Sequence, residues 1–312
     1  MTQGRSIRLF LVDGTPNGLL TAEIMNWTGH VLTGPRSKLS ELVQRPECGR
    51  TGIYFLVGPD PENSLRPLVY IGESDDVGTR LKQHNRPEDK GGKDFWEKVC
   101  LVTSKDQNLT KAHVKYLESL LIQNAGQVGR CKLINGTAHE YINLPESDRA
   151  DMAFFMEQIR TVLPVLGFDF LRETYGNKAK TEPSDDTSAD SPRLYMQIPK
   201  QGIQASAQEY EGEFIVMKGS TTRDEWVAKQ GGYSALFAQL CEEGVLSEPE
   251  GKVRRFTKDF AFSSPSAAGA IVAGYNVNGR TTWKVEGSGQ TYSDWQDQQV
   301  SAAAAAAEPQ PT

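Results

Sequence analysis

Residues 175–193, YGNKAKTEPSDDTSADSPR, hold one large apolar side chain, Tyr175, among serine, threonine, aspartate, lysine and proline. Such a run cannot bury enough apolar surface to offset the entropy lost on ordering, so it reads as a linker. It cuts the 312-residue chain into two parts, each long enough to form its own core. The expected organisation is a strand and helix extension at 1–47 packed on a domain at 48–174, the linker at 175–193, a second module at 194–297, and a low-complexity tail at 298–312. The alanine run of the tail, SAAAAAAEPQPT, can extend a last helix until Pro309 and Pro311 stop it.

With 38% hydrophobic and 24% charged residues and no apolar run of bilayer length, the chain is expected to be soluble and cytoplasmic, with no membrane partner. The apolar stretch Ile7–Val12 breaks at Asp13 and lacks a small-residue cleavage site, so it reads as a strand rather than a signal peptide. Cys48, Cys100, Cys131 and Cys241 form no CxxC pair, and His30, His84, His113 and His139 show no ligand spacing. Carboxylates are left to hold any metal. The formal net charge of −6 is unevenly spread: residues 1–175 hold 21 Lys+Arg against 22 Asp+Glu, the remainder 13 against 18. Residues 80–115 reverse the sign, with nine basic residues against five acidic, a modest footprint for phosphate that the solvated faces of ordinary helices would also produce.

Hydrophobic periodicity and turn residues predict an α+β first half, with a small three-stranded, mostly antiparallel sheet flanked by helices. Ile7–Val12 reads as a strand and Ser37–Gln44 as a short helix. GIYFLVG (52–58) and LVYIG (68–72) read as a hairpin closed by PDPENSLRP. A helix at 76–85, a third core strand at 97–103, a helix at 109–124 with Asn108 as its N-cap, and a closing helix at 151–166 follow.

Two of these helices carry charge on an apolar stripe. Val77, Arg80, Leu81 and His84 recur at i, i+3, i+4 and i+7, while Glu118 has Val114 and Ile122 one turn either side and Leu121 beside it. For Arg80 the ordinary alternative is snorkelling past Leu81 to solvent. For Glu118 it is a salt bridge. A carboxylate among apolar neighbours otherwise calls for a cation, and oxygen ligation with retained waters suits Mg²⁺.

GIY at 52–54 and YIG at 70–72, followed by YIGESDDVGTRLKQH with its arginine and HVKYLESLLI with its glutamate, resemble the GIY-YIG nuclease superfamily over about residues 48–145. The resemblance implies a Mg²⁺-dependent endonuclease, with Mn²⁺ as an alternative, that hydrolyses phosphodiester bonds of DNA by a one-metal mechanism. Tyr54 would act as general base, directly or as a phenolate of lowered pKa. Tyr70 would position the water or phosphate, and Arg80 would stabilise the developing charge. His84 matches a histidine that assists the tyrosine in restriction-type members, and Glu118 would be the sole protein ligand of the metal. A family asparagine after the glutamate helix has two candidates, Asn135 in LINGT and Asn143 in YINLP, of which Asn135 is preferred. Lys82, Arg86, Lys111 and Lys115 are the expected backbone contacts. Restriction or anti-phage defence is the expected setting. An RNA nuclease, a structure-specific repair nuclease and a catalytically silent nucleic-acid-binding module are the rivals.

In the second half, LYMQIP and GEFIVMKGS read as strands, and YSALFAQLCEEG as a helix ended by Gly244. FAFSSPSAAGAIVAGYNVNGRTTWKV reads as a strand, a small-residue helix capped by Ser264 before Pro265, and an Asn-Gly hairpin. This stretch resembles a small C-terminal domain of unknown function found behind bacterial nucleases and methyltransferases, which implies recognition or docking of a nucleic acid or protein partner. GKVRRFTKDF (251–260) interleaves Lys252, Arg254, Arg255 and Lys258 with Phe256 and Phe260. Either Arg254 and Arg255 meet phosphates while the rings meet bases, or the segment is a hairpin with basic residues outward and aromatics inward. Self-association is open.

Overall fold

Residues 52–58 and 68–72 are continuous apolar runs, and such runs form strands covered on both faces; the strands observed are Gly52–Gly58 and Leu68–Ser74. In the computed structural model, which describes residues 4–61, 66–106, 108–135, 141, 144–172, 191–210, 212–228 and 233–307, they are β4 and β5 of a larger sheet. The chain divides into two compact units, Met1–Arg172 and Glu173–Thr312.

The first unit holds a seven-stranded sheet in the order β1 (Ile7–Leu11), β2 (Leu20–Ile24), β3 (Gly29–Pro35), β6 (Lys98–Ser104), β4, β5, β7 (Lys132–Leu133). Neighbours are antiparallel except β5 and β7, which run parallel. The expected core of β6, β4 and β5 is thus present, but the sheet continues on both sides of it. β2 and β3 escaped sequence reading: β2, LTAEI, does alternate apolar and polar residues but over only five positions, and β3, GHVLTGP, is broken by Gly29, Gly34 and Pro35. The short helix predicted at 37–44 is a 3-10 turn, Arg36–Lys38, running into α1 (Leu39–Leu42).

Side chains alternate across β4 and β5, and each face is covered. Ile53, Phe55, Val69 and Ile71 pack with Val114, Leu117 and Leu121 of α3 (Lys111–Val128) and with Phe155 and Ile159 of α4 (Glu146–Val165). Tyr54 and Leu56 face the other way, against Leu42 and against Val77 and Leu81 of α2 (Val77–His84). Each large apolar side chain so buried contributes about 1.5–3 kcal/mol. The N-cap of α3 is Thr110, which forms a capping box with His113, rather than Asn108. α4 begins at Glu146, five residues before its predicted start, with Glu146 and Asp148 in its first turn, where carboxylates favour the helix dipole.

In the second unit a five-stranded antiparallel sheet runs in the order β13 (Phe260–Phe262), β10 (Glu213–Val216), β9 (Ile203–Tyr210), β8 (Leu194–Ile198), β14 (Lys284–Val285). β11 (Thr221–Arg223) and β12 (Val253–Arg255) form a separate pair. Ser264 caps the helix Pro265–Ala273 by accepting from the Ala267 N–H at 3.1 Å, as the sequence predicts. Asn278–Gly279 makes no hairpin. Asn278 caps the short helix Gly279–Thr282, accepting from the Arg280 N–H, and Gly279 lies so close to Pro265 that a Cβ would fall 2.1 Å from its carbonyl. Among the described residues, no helix is long and apolar enough to cross a membrane.

The start of α2 depends on Asp76, whose carboxylate accepts from the Thr79 N–H at 2.7 Å. Asp76→Ala should lower stability by about 1 kcal/mol, read as a lower urea midpoint with unchanged m. No change in midpoint would show that the cap does not hold the helix.

Candidate active site

Antiparallel register places Tyr54 opposite Gly72 and Leu56 opposite Tyr70, so both tyrosines emerge on the face that carries α2. His84, in the last turn of α2, meets them there. Tyr54 Oη and His84 Nε2 are hydrogen-bonded at 2.8 Å. The three rings form a closed set, with centroids 6.2 Å apart for Tyr54 and Tyr70, 5.6 Å for Tyr54 and His84, and 5.2 Å for Tyr70 and His84. Gly72 makes the set possible: a Cβ there would lie 2.3 Å from the Tyr54 hydroxyl. Gly52 has a similar reason, since its Cβ would stand 2.6 Å from the Val102 carbonyl oxygen.

Arg80 lies on the rim of this cluster, exposed as snorkelling would have it. Its Nη1 donates to Gln83 Oε1 at 2.8 Å, and its guanidinium interacts with the hydroxyls of Tyr54 and Tyr70. Lys93, from the loop after α2, holds its Nζ 4.4 Å from the centroid of the Tyr70 ring, a cation–π contact. The Lys93 N–H donates to the His84 carbonyl at 2.8 Å.

Burial sets the protonation states. It depresses His84 to about 4, with Arg80 and Lys93 acting in the same sense, so the imidazole is neutral at physiological pH. Burial raises Tyr54 well above the ordinary phenol range, the Tyr70 hydroxyl adds to this, and Arg80 opposes it without prevailing. The phenolate of lowered pKa expected from the sequence is therefore not what this environment favours. Tyr54 is fully buried, whereas Tyr70 is half-buried and Arg80 exposed.

Glu118 reaches the site from the opposite face, at the open edge of β5. Along that edge the Ile134 N–H donates to the Val69 carbonyl at 2.8 Å. Next, Asn135 Oδ1 accepts from the Ile71 N–H at 2.9 Å while its Nδ2 donates to the Ile71 carbonyl at 2.6 Å. Beyond these, the Glu73 N–H donates to the Glu118 carboxylate. Asn135 thus extends the pairing begun by β7 and pins the strand that carries Tyr70 and Gly72. It acts on backbone, not on the tyrosine cluster. Asn143 lies outside the described residues.

Burial, helped by the nearby charge of Glu73, raises Glu118 to about 7 against the pull of Lys111, the Glu73 N–H and Arg80. Lys111 is committed to Glu73 at 2.7 Å and Asp75 at 3.3 Å. A half-buried carboxylate with a second carboxylate beside it is an environment that a divalent cation would relieve. Among the described residues no cluster of three or more His, Cys, Asp or Glu surrounds a common point. Glu118, with Glu73 beside it, is the oxygen set available to such an ion, and water would complete it.

Lys82, Arg86 and Lys115 are exposed, as is Lys111 apart from its two acidic partners. Sequence reasoning missed Glu73, Gln83 and Lys93. Glu73 could have been found: it follows YIG directly, and period two puts it with Ile71 on the α3 side. No periodicity places Lys93. In the second unit 251–260 is neither alternative as drawn: it is no hairpin, since β12 pairs with β11 and β13 with β10, but its aromatics do turn inward, with Phe256 buried and Phe260 half-buried, both edge-on to Phe262. Arg254 donates to the carbonyls of Asp224 at 2.6 Å and Ser247 at 3.0 Å, so it ties backbone, while Arg255 is exposed beside Glu250.

Residues 194–296 match the family described as a domain of unknown function, DUF4357. The match falls within the second unit. No curated protein and no solved structure matches the chain.

His84 and Glu118 should tilt stability with pH in opposite directions. Lowered in the fold, His84 costs stability as pH falls from 6.5 towards 4, because the unfolded chain binds a proton that the folded chain refuses. Raised in the fold, Glu118 costs stability as pH climbs from 4.5 towards 7. Relative to wild type, His84→Gln should gain about 1–2 kcal/mol towards pH 4, and Glu118→Gln a similar amount towards pH 7. Urea titrations at several pH values read both, and differences that move in the same direction would refute the assignment. Gly72→Ala should cost about 1–3 kcal/mol, because a methyl group there meets the Tyr54 hydroxyl; retention of full stability would mean the contact is soft.

Proposed function

We propose that the first unit is a GIY-YIG-type nuclease that hydrolyses phosphodiester bonds of DNA with a divalent cation, in restriction or defence against foreign DNA. The observation that supports it most is the 2.8 Å bond between Tyr54 and His84, inside a cluster that also brings Tyr70 and Arg80 together. Four residues drawn from β4, β5 and α2 converge where a packing role alone would need no neutral imidazole and no guanidinium.

Arg80 and half-buried Tyr70 are the groups that first meet a phosphate. The planar fork of Arg80 suits two phosphate oxygens and the charge that grows on them. Tyr54 lies beneath, its hydroxyl fixed by His84. Being neutral, His84 can accept the Tyr54 proton when Tyr54 takes one from an attacking water, and its low proton affinity returns that proton readily. Mg²⁺ held by Glu118 would supply charge stabilisation and assist the leaving oxygen. Exposed Lys82, Arg86 and Lys115 would contact flanking phosphates without reading sequence. The second unit would provide recognition or docking.

Plasmid, linear, single-stranded DNA and RNA substrates incubated with Mg²⁺ test this reading. Wild type should cut DNA, and Arg80→Ala and Glu118→Ala should each lose roughly 100-fold or more at unchanged circular dichroism. Tyr54→Phe should retain the fold and lose a comparable factor. Equal cutting by all variants would place the chemistry elsewhere. Binding without cutting by wild type would make the unit a silent nucleic-acid-binding module, and preference for RNA would move the substrate class.

A further inference from the structure

β1 (Ile7–Leu11) ends the seven-stranded sheet and has a neighbour on one side only among the described residues. Soluble proteins blunt such edges with charge, proline or bulges. Here the strand reads IRLFL, and its one charge, Arg8, is answered by Glu23 at 3.2 Å. Leu9, Phe10 and Leu11 are 46%, 58% and 38% exposed.

The direction of the unused backbone groups can be read from one bond. The Val12 N–H donates to the Leu19 carbonyl at 2.9 Å, continuing the β1–β2 register, so even-numbered residues turn their N–H and C=O towards β2. Ile7, Leu9 and Leu11 therefore turn theirs outward, the Leu11 carbonyl already accepting from the Gly14 N–H at 3.2 Å with one lone pair to spare. We propose that this edge joins two copies of the chain, β1 to β1, antiparallel about a two-fold axis at Leu9. Each residue i then faces residue 18−i of the other copy.

That register is self-complementary. Leu9 faces Leu9 and Ile7 faces Leu11 on one side of the joined sheet, while Arg8 faces Phe10 on the other, a cation beside a ring. At the ends Arg5, which already donates to Gln158 and Thr161, comes opposite Asp13, which is already paired with Lys38, so like charges are at least not opposed there. Moving the axis to Ile7 would set Leu9 against Arg5, and moving it to Leu11 would set Leu9 against Asp13. Both alternatives oppose an apolar side chain to a charge, so Leu9 is the favoured centre. A second copy supplies the outward backbone groups of Leu9 and the exposed side chains of Leu9, Phe10 and Leu11 with matching partners, whereas an extended peptide from another protein would have to bring them.

Light scattering of the full chain tests this. The mass should rise from 34.5 kDa towards twice that value as concentration passes through the micromolar range. Leu9→Lys, which sets two cations together on the axis at an already exposed position, should weaken association at least tenfold. Leu9→Cys should cross-link two copies on air oxidation, since paired residues at this kind of site have Cα atoms about 5.5 Å apart, within disulfide reach. Phe10→Cys, whose counterpart sits two residues further along, should not. A wild type that stays monomeric to roughly 100 μM, a hundredfold above a micromolar Kd, would overturn the proposal. So would a Leu9→Lys protein that dimerises unchanged, or cross-linking at position 10 in place of 9. Were Leu9→Lys to misfold, the cysteine pair would still decide the register.

Discussion

The contact between Tyr54 and Gly72 governs the first unit. The register of β4 and β5 sets Tyr54 opposite residue 72, and because residue 72 has no side chain the Tyr54 hydroxyl fills the space so left. From there the hydroxyl reaches His84 at 2.8 Å, which fixes where the last turn of α2 must lie. The position of α2 in turn sets Arg80 on the rim and Leu81 in the core. A single missing methyl group therefore links strand pairing, helix docking and the arrangement of polar groups.

The same sheet keeps two electrostatic environments apart. On the α2 side, Arg80 and Lys93 surround a neutral histidine and a phenol, so net charge there is positive. At the open edge of β5, Glu118 and Glu73 make a negative environment that Lys111 and Asp75 share. An anion with its counter-cation, such as a phosphate with a divalent metal, is the kind of ligand that a positive surface beside a negative edge accommodates. Either environment without the other would suit an ordinary ion pair as well.

Much of this was legible in the residues. Strands 52–58 and 68–72 declared themselves by unbroken apolar runs, the second continuing in the structure to Ser74, and α2 by Asp76 and the recurrence of Val77, Leu81 and His84. Glu118 stood out as a carboxylate on an apolar stripe, and its raised pKa is the physical form of that misfit. Three things were not legible. β2 alternates apolar and polar residues over five positions only, with Glu23 in the cross-strand row Arg8, Glu23, His30, and β3 carries glycine and proline, so neither run is long enough to mark a strand by itself. Asn135 works by hydrogen-bonding backbone, a role that no spacing rule encodes. The Asn-Gly pair at 278–279 carries the strongest short-range hairpin signal, yet close packing on Pro265 and an N-cap decide its use.

Those failures share a cause. Periodicity reports which face of an element is buried, and it succeeds wherever burial alone fixes the structure. It is silent where a side chain completes the hydrogen bonding of someone else's backbone, as Asn135 does for Ile71 and Arg254 for Asp224 and Ser247. Unpaired backbone groups at sheet edges are costly when buried, so a polar side chain beside an edge is as apt to be repairing a ladder as to be meeting a ligand. The distinction matters most at β5, where one edge carries both kinds of residue in succession. Asn135 satisfies both hydrogen-bonding groups of Ile71 and, being a neutral amide, carries no charge to offer a cation. Glu118 receives one N–H from Glu73 and retains further acceptor sites. Ionisable charge with unused acceptor sites on a half-buried carboxylate, rather than polarity or position, is what separates a residue suited to hold a cation from a neutral amide that holds the strand.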